Sequence, residues 1–113
     1  LGCHANILTE LDVSNNSALT VLSFGDNQIT AIDVSNLNSL TEFRCYDNYL
    51  TCVNLKNGNN TNITSFNATG NPNLNCIEVD NPTWSTNNWN SGNGNIDSSV
   101  TFSVNCSYPA GCF

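Results

Sequence analysis

The segment Leu8 to Gln28 reads LTELDVSNNSALTVLSFGDNQ, and Ile29 to Tyr49 reads ITAIDVSNLNSLTEFRCYDNY. The two superpose without a gap, which sets a period of 21 residues and places internal repetition ahead of every other signal in the chain. A third copy, Leu50 to Asn73, carries a three-residue insertion around Gly58 to Thr61, and a fourth begins at Leu74 and runs to Asp80. Three apolar columns result: Leu8/Ile29/Leu50/Leu74, Leu11/Ile32/Val53/Ile77 and Val13/Val34/Leu55/Val79.

Each unit holds a second, similar half, with columns Leu19/Leu40/Ile63, Leu22/Phe43/Phe66 and Phe24/Cys45/Ala68, followed by the asparagine column Asn27/Asn48/Asn71. Both halves end in period-2 alternation, which predicts a short strand with one buried face, and clusters of Asn, Gly, Asp and Ser supply the turn after it. Two strands per unit make a flattened coil. Coils stacked about 4.8 Å apart pair each strand with its equivalent in the next, so the expected fold is mainly β, with parallel ladders on two sides of an apolar interior. The asparagine column is expected to turn inward and bond backbone groups at the corners, because buried backbone must be paired.

The motifs L-T-x-L-D-V-S at Leu8 to Ser14 and I-T-A-I-D-V-S at Ile29 to Ser35 resemble bacterial leucine-rich repeats of the nested 21-residue kind. The likeness covers roughly residues 1–80. The runs K-N-G-N-N-T-N-I at Lys56 to Ile63 and N-P-N-L-N-C-I-E-V-D at Asn71 to Asp80 are similar to those near the C-terminus of secreted or surface proteins in Bacteroidetes-type bacteria. The resemblance implies a leucine-rich-repeat solenoid over residues 1–80, with units near 8–28, 29–49, 50–73 and 74–80, acting as an extracellular recognition or adhesion module. Residues 81–113 are then a C-terminal cap.

Charge is sparse, at 10% of residues, while asparagine supplies roughly a fifth of the chain, well above its usual share. The net charge is −7 and the only basic side chains are Arg44 and Lys56. Affinity for nucleic acid comes from several Lys and Arg contacts that release counterions, so neither nucleic acid nor an anionic membrane is an expected partner. No apolar run is long enough to span a bilayer, and membrane insertion is not expected. Six cysteines with one histidine, His4, and no C-x-x-C pair favour disulfides in an oxidising compartment over a zinc site, hence a secreted or cell-surface location. Sequons occur at Asn15, Asn59, Asn62, Asn67 and Asn105.

The alignment sorts the cysteines. Cys3 and Cys45 fall in the inward column and are expected to be buried and unpaired, whereas Cys52 and Cys76 occupy one outward position of neighbouring coils. In the resembling family a cysteine after the last repeat pairs with one at the start of the last strand, which implies Cys76 with Cys106. Cys52 is then left for Cys112, although stacking also permits Cys52 with Cys76. Leu1 to Asn6 aligns with Leu22 to Asn27, so the chain opens in mid-repeat. Further repeats or another chain are expected at that edge. Beyond Asn81 the period is lost. Ser99 to Val104 alternates as a strand, and Trp84, Trp89 and Phe102 are expected to cover the end of the apolar interior.

No catalytic constellation is present, and no enzyme activity, metal or cofactor is expected. The outward positions form two faces. One is acidic, with Glu10, Asp12, Asp33, Glu78 and Asp80; its Asp12/Asp33/Asn54 column falls short of the converging oxygens that calcium needs and is expected to be solvated. The other carries Glu42, Arg44 and Tyr46, with Tyr49 nearby, residue types enriched where proteins recognise one another. It is the expected partner-binding surface for a protein or cell-surface ligand. Two alternatives stand beside it: a carbohydrate-binding module attached to an exported enzyme, with Trp84 and Trp89 as an aromatic platform, and a structural element that self-assembles through its uncapped N-terminal edge.

Overall fold

Strands form where an apolar residue sits at the centre of an alternating triplet. The computed structural model describes residues 1–113 and contains β1 (Val21–Ser23), β2 (Ala31–Asp33), β3 (Glu42–Arg44), β4 (Cys52–Asn54), β5 (Ser65–Asn67), β6 (Cys76–Glu78), α1 (Pro82–Asn88) and β7 (Thr101–Ser103). The central residues Leu22, Ile32, Phe43, Val53, Phe66 and Ile77 are all buried, while their neighbours along each strand point the other way. Helix is confined to α1 and two single 3₁₀ turns at Asn60–Asn62 and Ser91–Asn93.

The chain alternates between two parallel sheets, ordered β1-β3-β5 and β2-β4-β6-β7. The register follows the repeat. Leu22 pairs with Phe43 and Phe43 with Phe66 in the first sheet, and Ile32 pairs with Val53 in the second. Leu1 to Ala5 prolong the first sheet beside β1, through Cys3 N–H to the Ser23 carbonyl, Ser23 N–H to the Leu1 carbonyl and Ala5 N–H to the Gly25 carbonyl, each 2.9 Å.

One expected strand is missing. Leu11 to Val13 belongs to the same column as β2, β4 and β6, yet it is not a strand and shares no hydrogen bond with Ala31 to Asp33. Pairing in the repeat register sets Asp12 directly opposite Asp33, and like charges so placed are destabilising. The next pair, Asp33 and Asn54, lacks that repulsion and is made.

One apolar core of 22 buried residues lies between the sheets. A file of rings runs through it: Phe24 and Phe43 at 6.0 Å, Phe43 and Phe66 at 6.0 Å, then Phe66 stacked on Trp89 at 4.3 Å. Truncating a buried ring such as Phe43 to alanine is expected to cost about 3–5 kcal/mol. Trp84 and Phe102 flank Trp89, so the segment after Asp80 covers the core at its C-terminal end. Asn81 starts α1, its side chain accepting the Trp84 N–H, with Pro82 at the first helical position, where a missing N–H costs nothing.

The outer edge of β5 is closed by side chains and loop backbone. Asn95 donates its amide to the Phe66 carbonyl and its own carbonyl accepts the Ala68 N–H. The Asp97 carboxylate accepts the N–H groups of Gly70 and Asn71.

Two disulfides, Cys76–Cys106 and Cys52–Cys112, tie the last ten residues across the second sheet, while Cys3 and Cys45 are free. Cys45 is buried and Cys3 only partly so. The strap corrects the expected exposure of Cys52, which lies on an outward position but is only 2% exposed. The acidic face is likewise covered in part: Cys106 N–H donates to the Glu78 carboxylate at 3.0 Å. The Tyr108 hydroxyl enters the β4/β6 ladder, accepting the Val53 N–H at 3.1 Å and donating to the Cys76 carbonyl. Only Asn54 and Glu78 pair between those two strands. No helix is long and apolar enough to cross a membrane.

Candidate functional site

The asparagines of the corner column are committed to the backbone. The Asn48 amide donates to the carbonyls of Phe24, Cys45 and Tyr46 at 3.0–3.2 Å and accepts the Ile29 N–H at 3.0 Å. Asn27 repeats this pattern with Cys3, Phe24 and Gly25 as acceptors and Leu8 as donor, and Asn71 does so with Cys45, Ala68, Thr69 and Leu50. Each amide therefore joins its own corner to the one before it. The residue preceding each asparagine is left-handed: Ala5, Asp26, Asp47 and Gly70 have φ between 53° and 72°. Such a φ carries a penalty for any residue but glycine, and the corner bonds hold it.

The aspartates of the D-V-S motifs cap turns. Asp12 accepts the Ser14 N–H and Asp33 the Ser35 N–H, both at 2.9 Å, and Asn54 does the same for Lys56. These are local turns made by the side chain. Hydrogen bonds from Ser14 hold the Asp12 carboxyl below its ordinary range. No group of three or more His, Cys, Asp or Glu side chains gathers to hold a metal ion. Asp80, expected on the solvated face, clamps the insertion by accepting the N–H groups of Gly58 and Asn60. The threonine columns bond along the stack, as in Thr41 to the Thr20 carbonyl and Thr64 to the Thr41 carbonyl.

One group of outward side chains stands together on the outer face of β1-β3-β5. Glu42 and Arg44 point outward from β3 and form an ion pair at 3.4 Å, both about one-third exposed. The Arg44 guanidinium also donates to the Ser65 hydroxyl on β5 at 3.0 Å. Tyr46 lies across Gly25, where a Cβ would collide with its ring. Gly25, which no column of the repeat marks, is thus what lets Tyr46 rest flat against the neighbouring turn of chain. Tyr49 is 58% exposed in the turn that leads toward β4, one corner beyond the other three. The structure therefore groups Glu42, Arg44 and Ser65 on one rigid sheet, with Tyr46 at its margin and Tyr49 apart.

The two tryptophans separate as well. Trp89 is buried and stacked on Phe66, which leaves no open ring face for a sugar. Trp84 is only partly buried and borders a cleft of about 170 Å³ with Gly58, Asn59, Asn60, Thr61, Asp80 and Asn81. Compared with protein-family models, curated proteins and solved structures, the chain matches none.

Proposed function

We propose that the chain is an extracellular, non-enzymatic leucine-rich-repeat solenoid with a disulfide-bearing C-terminal cap, and that it recognises a protein partner or a cell surface through the β1-β3-β5 face. The observation that carries this reading is the pre-set Glu42–Arg44–Ser65 array, with Tyr46 beside it, on the outer face of one sheet. An arginine and a tyrosine held in place lose little conformational entropy when a partner docks, and both are enriched at binding hot spots. The two disulfides support export, since such bonds persist in oxidising compartments.

The test is saturable binding of the fluorescently labelled chain to the surface of cells that produce it, set against a folded Arg44→Glu variant. The reading predicts that the variant loses most of the binding; equal binding by both chains contradicts it. A second reading, carbohydrate binding, is favoured by the partly open Trp84 beside its amide-lined cleft. Tryptophan fluorescence that shifts with an oligosaccharide in the parent but not in Trp84→Phe would select it.

A further inference from the structure

The strap, residues 104–113, crosses the second sheet without a strand or helix of its own. Its one internal backbone bond runs from Cys112 N–H to the Pro109 carbonyl. Beyond the disulfides, it reaches β4 and β6 through the Cys106 N–H on the Glu78 carboxylate and through the Tyr108 hydroxyl. Each disulfide joins one sheet cysteine, Cys52 in β4 or Cys76 in β6, to one strap cysteine, Cys112 or Cys106.

The hydroxyl fills one defined gap. Asn54 pairs with Glu78, and Leu55 N–H donates to the Glu78 carbonyl at 2.8 Å. A parallel ladder repeats every two residues, so the preceding pair in this register is Cys52 with Cys76, and its ladder bond is Val53 N–H to the Cys76 carbonyl. Those are the two groups that the Tyr108 hydroxyl bridges instead. The pair is not made, although Cys52 pairs with Ala31 on its other side and Cys76 with Thr101. The strap therefore interrupts the ladder at the point where the two sheet cysteines stand opposite each other.

We infer that the strap is a thiol-released cover: one dithiol reductant frees it completely, because the sheet cysteine left behind exchanges onto the one opposite. A thiolate of the dithiol attacks Cys112 Sγ, breaking Cys52–Cys112 and leaving Cys52 as a thiolate; the second thiol of the reductant resolves the mixed disulfide and departs in its own disulfide. The Cys52 thiolate then attacks Cys76 Sγ, forming Cys52–Cys76 and expelling Cys106. Attack at Cys106 gives the same product, since Cys76 then displaces Cys112 from Cys52. Net, the dithiol gives up two electrons and two protons, and the chain exchanges two disulfides for Cys52–Cys76 and thiols at Cys106 and Cys112. Neighbouring strands stand roughly 4.8 Å apart, within the roughly 4.4–6.8 Å between Cα atoms that a disulfide spans. Cys3 and Cys45 bond into the first sheet, across the core, and take no part.

Release draws Tyr108 out of the ladder and lets Val53 N–H bond the Cys76 carbonyl directly. It strips the Cys106 N–H from the Glu78 carboxylate. It also removes Cys112 and Phe113 from the wall of a cavity of about 600 Å³ that they form with Glu10, Asp12 and Asp33. The covered and released forms thus present different outer faces on the second sheet, and the thiol content of the surroundings selects between them. This device is separate from the proposed β1-β3-β5 surface, and its test makes no use of that surface.

The test treats the folded parent chain with one molar equivalent of dithiothreitol, traps thiols with N-ethylmaleimide in mildly acidic denaturant and maps the linked peptic peptides by mass spectrometry. The two-electron product is expected to hold a Cys52–Cys76 link, with maleimide on Cys106 and Cys112. In the isotope-labelled product, a scalar coupling across the hydrogen bond from the Val53 nitrogen to the Cys76 carbonyl carbon is expected where the parent has none, while the Leu55 and Val79 amides keep their slow hydrogen exchange. A two-electron product that retains either native disulfide, or holds any link other than Cys52–Cys76, overturns the inference. So does a Cys52–Cys76 link formed with loss of protection at Leu55 and Val79, which marks scrambling in an unfolded chain.

Discussion

Replacing Asn48 by alanine tests the corner network at its centre. Asn48 is 2% exposed and its amide serves four backbone groups. Alanine leaves the Ile29 N–H, in a fully buried residue, without a partner, at a cost of about 1–3 kcal/mol. The Phe24 carbonyl keeps the Asn27 amide but loses that of Asn48, which adds about 0.5–1.5 kcal/mol. The sum, about 1.5–4.5 kcal/mol, is a large share of the roughly 5–15 kcal/mol that holds a domain folded. Asn6 stands at the equivalent position of the first corner but is exposed, bonding only the Cys3 and His4 carbonyls of its own turn, so Asn6→Ala is expected to stay within about 0.5 kcal/mol. Asn48→Asp keeps the size and the acceptor but sets a carboxylate against three carbonyl oxygens, and is expected to be at least as damaging. Urea denaturation reads all three: the midpoint falls sharply for the Asn48 variants with an unchanged slope. An Asn48→Ala midpoint close to that of Asn6→Ala would refute the reasoning.

Other consequences follow from single groups. Tyr108→Phe removes the hydroxyl between Val53 and Cys76 and is expected to lower stability by about 1–3 kcal/mol in denaturant titration. Burial, with the Glu78 charge adding to it, raises the Tyr108 phenol above its ordinary value. The folded state therefore favours the protonated form, and this contribution is complete below the unfolded value near pH 10 and lost as pH rises through the folded one; a parent-minus-Tyr108→Phe ultraviolet titration reads it. The Ser85 hydroxyl is buried without a partner, so Ser85→Ala is expected to leave stability unchanged or raise it by up to about 1 kcal/mol, measured by thermal unfolding. Burial pushes both free thiols up, Cys45 much further than Cys3. Maleimide labelling of the native, non-reduced chain is expected to modify Cys3 slowly and Cys45 only after unfolding. Replacing Cys76 and Cys106 by serine opens a loop of 30 residues and is expected to cost about 3–4 kcal/mol in the chain-entropy account, read from denaturation midpoints.

The parts of the fold that were legible are those where one side chain does one job per repeat. The Leu22/Phe43/Phe66 and Ile32/Val53/Ile77 columns mark strand centres because burial of an alternate residue is a local property, and the Asn27/Asn48/Asn71 column marks corners because only an amide both donates and accepts there. The left-handed column Ala5/Asp26/Asp47/Gly70 was equally present in the alignment; its signal is the residue just before each asparagine. What was not legible depends on comparison between neighbours or on long-range closure. The absence of a strand at Leu11 to Val13 follows from Asp12 meeting Asp33 across coils, which appears only once the register is laid out. The strap over Cys52 and the entry of Tyr108 into the ladder lie in a segment without period, where no column indicates direction. Asp80 and Asp97 look like surface carboxylates in sequence, yet each holds two backbone donors. Of the proposed surface, Glu42 and Arg44 were readable as outward neighbours on one strand. The dependence of Tyr46 on Gly25 was not, because it joins adjacent coils.

The central claim is that the 21-residue unit is a physical layer that stacks on its own kind, and inserting a second copy of Ile29 to Tyr49 directly after Tyr49 tests it most directly. A stack accepts a whole extra layer, so the lengthened chain is expected to unfold cooperatively at no lower a temperature than the parent. It should keep both native disulfides and extend by about 4.8 Å along the stack in solution scattering. An insert of the same composition but 18 residues long should fail, since it turns every following strand out of register. A 21-residue duplication that aggregates or loses cooperative unfolding, or an 18-residue insert tolerated equally well, would contradict the account.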